Sequence, residues 1–136
     1  MRLASASAAL AVSAALAGAT ASPASAPVPV LGNAFPGTHG FGHAHPSLLS
    51  SGPGATVTVQ HVRWTHWGAK EATGLGQGWY VPDNARSQAD GKLATEKVVV
   101  FDLGTCHGKR AYRKYEWYLP AYRKAPSRKQ ANNACF

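Results

Sequence analysis

Acidic residues are scarce in this chain, which carries six Asp and Glu against fourteen Lys and Arg and has a formal net charge of +8. Cysteine is scarce as well, and two residues cannot form the ligand clusters that structural zinc sites require. The glycine-rich run 74–78 does not match the six-position dinucleotide motif, and no phosphate-binding loop or serine nucleophile elbow is present. These absences exclude the common zinc-finger, nucleotide-binding and serine-hydrolase classes, and we expect no cofactor and no bound metal.

Long hydrophobic runs are also lacking, except at the start of the chain. Residues 3–18 are Ala-rich and uncharged, Arg2 precedes them, and residues 19–21 have the small-x-small pattern that signal peptidases accept. We therefore predict a signal peptide over 1–21, cleavage after Ala21, and a secreted, extracellular mature chain without a transmembrane segment. The alternative is an N-terminal membrane anchor, for which this run is short and weakly hydrophobic.

The two cysteines, Cys106 and Cys135, both lie in the predicted mature chain. In an oxidising compartment two cysteines most simply pair with each other. Such a disulfide closes a loop of about 30 residues, for which the chain-entropy model gives roughly 3–4 kcal/mol of stabilisation. The alternative is a pair of free or intermolecular thiols.

Residues 22–54 are rich in Pro, Gly, Ala, Ser and His and contain no Asp, Glu, Lys or Arg. No apolar periodicity persists along them, so their burial cannot offset the cost of ordering the backbone. We predict a disordered segment over 22–54. The histidines at 39, 43 and 45 could hold a transition metal only weakly on a flexible chain.

Residues 55–136 have the character of a folded domain, because every Trp and Tyr of the chain lies there. Alternating or apolar runs predict strands at 56–59, 62–64, 97–103 and 110–119, with a bulge near Gln60-His61 and a hairpin joining the last two strands. The glycines within 74–78 predict a loop. The expected fold is all-β, a small antiparallel β sandwich or partly open barrel, with one disulfide, preceded by the disordered tail.

Basic and aromatic residues interleave between 109 and 129, where only Glu116 offsets the positive charge. This pattern suits an anionic polymer, either a cell-wall polymer or nucleic acid. The alternative is a solvated strand face whose aromatic residues build the core. A regular strand would place Trp64 and Trp67 on opposite faces, and Gly68 would let Trp67 line a groove. The candidate ligand-binding residues are Trp67, Arg113, Lys114, Tyr118 and Arg123.

Catalysis is the alternative function, since small secreted ribonucleases combine a Glu with His and Arg on a sheet. Glu116 and His66 are the candidate pair here, although no motif of such enzymes is present. A third alternative is an exported inhibitor or toxin with an unknown protein partner. The leading hypothesis is a secreted, non-catalytic binding or interaction module, with an anionic cell-envelope polymer as its candidate ligand.

A resemblance rests on the W-x-x-W-G pattern at 64–68, A-T-G-x-G at 72–76, D-L-G-T-C at 102–106 and the aromatic segment 112–120. Over about residues 55–120 the chain resembles small exported proteins of actinobacteria, whose genomes also favour Ala-rich leaders. That family has no assigned function or catalytic residue. The resemblance therefore implies secretion and a single domain, and it carries no chemistry.

Overall fold

The structure, a computed structural model, describes residue 18 and residues 25–136. The predicted signal peptide over 1–21 lies outside these residues, apart from the isolated Gly18. In chain order the strands are β1 (Val30–Leu31), β2 (Leu49–Ser50), β3 (Thr58–Thr65), β4 (Ala72–Tyr80), β5 (Lys92–Cys106), β6 (Lys109–Tyr118) and β7 (Asn132–Asn133). Within 25–136 the only helical segments are single 3₁₀ turns at Ala55–Val57, Gln88–Asp90 and Arg128–Gln130. No helix in this part of the chain is long and apolar enough to cross a membrane.

All the strands within residues 25–136 form one sheet of seven strands in the order β1-β6-β5-β4-β3-β2, with β7 paired to the edge of β6. Every pairing is antiparallel except that of β1 with β6. The sheet curls into a half-barrel, so the predicted all-β fold with a partly open barrel and one disulfide is confirmed. The bond between Cys106 and Cys135 joins the start of the β5–β6 turn to the chain after β7.

The inner face of the half-barrel is mostly apolar, and the glycines of β4 let the sheet curl there. Val59 and Val62 both point inward because the register of β3 shifts between Gln60 and Arg63, which confirms the predicted bulge. A Cβ added at Gly74 would lie 2.5 Å from Cγ1 of Val62, so only glycine allows this close packing. The loop predicted over 74–78 is therefore wrong: these residues lie within β4.

The prediction of a disordered segment over 22–54 is wrong for residues 25–54, and the domain does not begin at 55. Leu31, Phe41 and Leu49 are 0%, 2% and 0% exposed and belong to the main core. The backbone of this segment is bonded to the sheet, for example from the amide of Gly32 to the carbonyl of Tyr112 at 2.8 Å. The average composition of the segment is typical of disorder, but its few large apolar side chains pack into the core.

Candidate functional site

The outer face of the sheet carries a row of side chains that crosses four strands. Register pairs join Arg63 on β3 to Leu75 on β4, Leu75 to Lys97 on β5, and Lys97 to Tyr118 on β6. Leu75 is 51% exposed, so the row also presents an apolar side chain to solvent. We call these four residues the basic row.

The two cations of the basic row have no acidic partner among the described residues. Neither Arg63 nor Lys97 takes part in a salt bridge, whereas Arg113, Arg123 and Arg128 all do. Adjacent strands lie about 4.8 Å apart, so the main chains that carry Arg63 and Lys97 are separated by about 10 Å. The row therefore offers two uncompensated positive charges on either side of an apolar side chain.

A second row of polar, uncharged side chains lies beside the first. Gln60 on β3 faces Gln77 on β4, which in turn faces Thr95 on β5. None of these three side chains makes a hydrogen bond to another described residue. We call these residues the amide row, and its donors and acceptors are free for a ligand.

A groove of about 520 Å³ runs beside the amide row, towards the end of β4 and the start of β5. Its walls include Trp79 and Leu93, which are cross-strand neighbours, and Leu93 is 52% exposed. The indole of Trp79 is held in place because its Nε1 donates a hydrogen bond of 2.8 Å to the carbonyl of Gln88. A Cβ at Gly91 would collide with that indole, so glycine makes room for it. We call the two rows together with Trp79 and Leu93 the outer platform.

Of the ligand-binding residues predicted from sequence, only Tyr118 lies in the outer platform. Lys114 is two positions along β6 from Glu116 and faces Phe101 across the strands. Arg113 is bonded to Asp102 at 2.8 Å, and Arg123 to Asp83 at 3.1 Å. The five residues therefore do not converge on one site.

Trp67, another of the predicted ligand-binding residues, anchors the N-terminal segment. Its ring packs edge-on against the rings of Trp64 and Tyr112, with distances between ring centroids of 4.7 Å and 5.1 Å. Its Nε1 donates a hydrogen bond of 2.9 Å to the carbonyl of Pro29. The expectation that Trp64 and Trp67 point to opposite faces is wrong, because β3 ends at Thr65 and Trp67 lies in the following turn.

Glu116 lies on the outer face under the C-terminal segment, where it is 3% exposed. Its Oε1 lies 3.3 Å from Nε of Arg128, and Nη2 of the same guanidinium lies 2.9 Å from Oε1 of Glu71. The guanidinium also sits 4.2 Å above the ring of Phe101. The hydrogen bond to Glu71 is the main reason that the pKa of Arg128 is raised.

The proposed catalytic pair, Glu116 and His66, is not joined in the structure. His66 is an exposed turn residue with a φ of 60°, and no hydrogen bond or salt bridge links it to Glu116. Oε2 of Glu116 is buried and has no hydrogen-bond partner among the described residues. Arg128 covers the one carboxylate on which the enzyme hypothesis depends.

A second buried carboxylate, Glu96, was missed from the sequence. It is 6% exposed on the inner face, and desolvation raises its pKa from 4.5 to about 7. Its packing depends on Gly78, where an added Cβ would collide with the Glu96 carboxylate. The sequence does contain a signal for the burial of Glu96, because this residue alternates in phase with the buried Val98 and Val100.

Metal-ligating atoms come together once among the described residues, at Cys106, His107 and Cys135, where they lie within 4.8 Å of one another. Both sulfur atoms are consumed by the disulfide. Nε2 of His107 donates a hydrogen bond of 2.6 Å to the main-chain oxygen of Phe136. The histidines at 39, 43 and 45 do not form such a group.

The sequence of β4 contains a signal for the platform residues that this strand contributes, although that signal was not used in the sequence analysis. Residues 72, 74, 76 and 78 are Ala or Gly, so the larger side chains at 73, 75, 77 and 79 all project from one face. The sequence of β4 does not show the register that aligns these side chains with those of β3 and β5. The pairing of β4 with its neighbours is fixed by the bulge in β3 and by the packing of the core.

Comparisons of this chain with protein-family models, with curated proteins and with solved structures found no match. The resemblance to exported actinobacterial proteins stays a prediction from sequence.

Proposed function

We propose that the protein is an exported, non-catalytic binding module that holds an anionic cell-envelope polymer on its outer platform. The observation that carries this proposal is the basic row, in which Arg63 and Lys97 flank the exposed Leu75 without acidic partners. An extended polyanion that crosses the strands meets two positive charges, carried by main chains about 10 Å apart.

The distribution of charge over the rest of the molecule supports the same conclusion. Four acidic side chains are already neutralised by arginines, through the pairs of Arg113, Arg123 and Arg128. The net charge of the chain is +8, and most of the cations in the described residues have no ion pair there. A long-range positive potential attracts polyanions and makes their binding sensitive to salt.

A hydrolytic function receives less support from the geometry. The carboxylate that it needs, Glu116, is almost fully buried and ion-paired with Arg128. Its candidate partner His66 makes no bond to it among the described residues. A general base must come within hydrogen-bond reach of the proton that it removes, and Arg128 occupies that position.

The direct test incubates the oxidised protein with anionic cell-wall fragments and with RNA, at 50 and 200 mM salt, and scores both retention and cleavage. We expect retention that weakens as salt rises, with the RNA left intact. Arg63→Gln and Lys97→Gln should each lower the affinity several-fold and reduce the salt slope by about one, as loss of one ionic contact does. Lys109→Gln is the matched control, because it removes the same charge at the start of β6, outside the outer platform.

Three outcomes would contradict the proposal in distinguishable ways. RNA cleavage that is lost in Glu116→Gln would establish a hydrolase. A saturable one-to-one complex with a protein, with little dependence on salt, would establish an inhibitor or toxin. Equal effects of Lys97→Gln and Lys109→Gln would show that net charge, and not the basic row, governs binding.

Export is tested separately, by expressing the full chain in a bacterial host that secretes proteins. The predicted cleavage after Ala21 leaves Ser22 as the first residue of the protein in the medium. Intact-mass measurement of that protein identifies the first residue directly. Recovery of the chain only in the cytoplasm, with its leader attached, would contradict the proposal.

A further inference from the structure

We infer that the polymer held by the outer platform is an acidic polysaccharide, and that the amide row and the groove beside it form a subsite for one of its sugar rings. This inference rests on the proposed function and narrows it to one class of ligand. Three features carry it: the unpaired amides, the apolar wall of the groove, and the position of both relative to the basic row.

The amide row supplies the hydrogen-bonding chemistry that a sugar requires. Each of Gln60 and Gln77 presents a carbonyl acceptor and two donors, and the hydroxyl of Thr95 can do both. The three groups face the same side of neighbouring strands and have no partner among the described residues. Adjacent hydroxyl groups on a sugar ring likewise act as donor and acceptor, so the two sets are complementary.

The groove supplies the apolar contact that accompanies these hydrogen bonds. Its volume of about 520 Å³ lies within the range of roughly 300–1,000 Å³ that is usual for ligand sites. Trp79 and Leu93 line it, and the indole is fixed by its bond to Gln88. A rigid indole with a neighbouring exposed leucine offers a surface on which the C–H groups of a sugar ring can pack.

The basic row lies close enough to the groove for an acidic substituent of the bound polymer to reach it. Leu75 and Gln77 are two residues apart on β4, a separation of about 7 Å along the strand. A carboxylate or phosphate on a neighbouring residue of the polymer therefore reaches Lys97 or Arg63 while a ring occupies the groove. No acidic residue lines the groove to repel such a group.

Nucleic acid fits this arrangement less well. Single-stranded nucleic acid is usually bound through aromatic side chains on which successive bases stack. The outer platform has two aromatic residues, and Tyr118 is half-buried at the end of the basic row farthest from β3. The uncharged amide row between the two aromatic residues favours hydroxyl groups over a series of stacked bases.

The test measures binding of the oxidised protein to two polyanions, polygalacturonate, which is built from sugars, and inorganic polyphosphate, which is not. For the double variant Gln60→Ala/Gln77→Ala we expect the Kd for polygalacturonate to rise about tenfold, since two hydrogen bonds are lost. The Kd for polyphosphate should stay within about twofold of the wild-type value. Thr95→Val is a smaller change that should give a lesser effect of the same kind.

The matched control is Gln130→Ala, which removes an exposed amide outside the platform. Unchanged urea midpoints establish that each variant is folded. If the amide variants bind polygalacturonate as tightly as the wild type while Lys97→Gln weakens it, the sugar subsite is wrong and the proposed function stands. If neither polymer binds, the proposed function itself is wrong. Binding of an RNA homopolymer at least as tight as that of polygalacturonate would also overturn the subsite.

Discussion

Nε of Arg128 lies 3.3 Å from Oε1 of Glu116, so a residue of the C-terminal segment compensates a carboxylate that the sheet buries. Arg128→Met leaves that carboxylate uncompensated, while the methionine can still pack on Phe101. Because Arg128 is half-exposed, we expect the free energy of unfolding to fall by about 2 kcal/mol rather than by the full value for a buried pair. Urea unfolding measures this loss.

The same pair is tested by a double-mutant cycle. Glu116→Gln removes the charge that Arg128 compensates, so the double variant should recover about 1 kcal/mol relative to the sum of the two single changes. Additivity within about 0.3 kcal/mol would contradict the pairing. The Glu116→Gln variant also serves the cleavage test described above.

The buried carboxyl of Glu96 predicts that stability decreases as the pH rises. Its pKa is raised from 4.5 to about 7, so between these values the unfolded chain loses a proton that the folded chain keeps. The stabilising contribution is full below pH 4.5 and is lost as the pH rises through 7, a change of about 3 kcal/mol. In Glu96→Gln this change should be absent.

The measurement is the difference in unfolding free energy between Glu96→Gln and the wild type at several pH values from 4 to 9. The difference should grow in favour of the variant up to about pH 7 and then level off. Asp83→Asn controls for the loss of an exposed carboxylate. Parallel pH profiles for the wild type and Glu96→Gln would show that Glu96 titrates alike in the folded and unfolded chains.

The N-terminal segment is predicted to be essential for folding. A chain that begins at Ala55 lacks β1 and β2 and the buried side chains of Leu31, Phe41 and Leu49. Loss of each large core side chain costs about 2–5 kcal/mol, and a small domain has about 5–15 kcal/mol in total. We expect no cooperative unfolding transition for residues 55–136, whereas residues 22–136 should show one. A cooperative transition in the shorter chain would contradict the role assigned to this segment.

The disulfide is predicted to hold the chain after β7 against the β5–β6 turn. The double variant Cys106→Ser/Cys135→Ser should lose roughly 3–4 kcal/mol of stability, as expected for a loop of this length. Contacts that depend on that segment, such as the one between the rings of Phe35 and Phe136 at 5.1 Å, should be lost with it. Denaturant midpoints and the NMR shifts of Phe136 check both statements, and a loss below 1 kcal/mol would contradict them.

The fold class followed from the sequence because its strongest signals are local. The apolar run that begins at Lys97, the alternating run that ends at Leu119, and the short turn between them predict the β5–β6 hairpin that the structure contains. The bulge near Gln60 was visible as a change of phase between two alternating runs. The disulfide followed from the number of cysteines.

The outer platform could not be predicted in the same way, because it depends on contacts between distant segments. Arg63, Leu75 and Lys97 share a row only through the registers of three strands. The cations chosen from sequence were those most concentrated along the chain, and the arginines among them, Arg113 and Arg123, are occupied by acidic residues. Local density of charge along the chain therefore does not show which cations remain unpaired in the fold.

The most direct measurement of binding at the outer platform is an NMR titration of the ¹⁵N-labelled, oxidised protein with short oligomers of polygalacturonate at low salt. Binding there predicts that the largest shifts of backbone amides occur at Arg63, Leu75 and Lys97 and extend to Gln77. Addition of salt should reverse them. Shifts confined to the region of His107 and Phe136, or spread evenly over all exposed lysines, would contradict a binding site on the outer face.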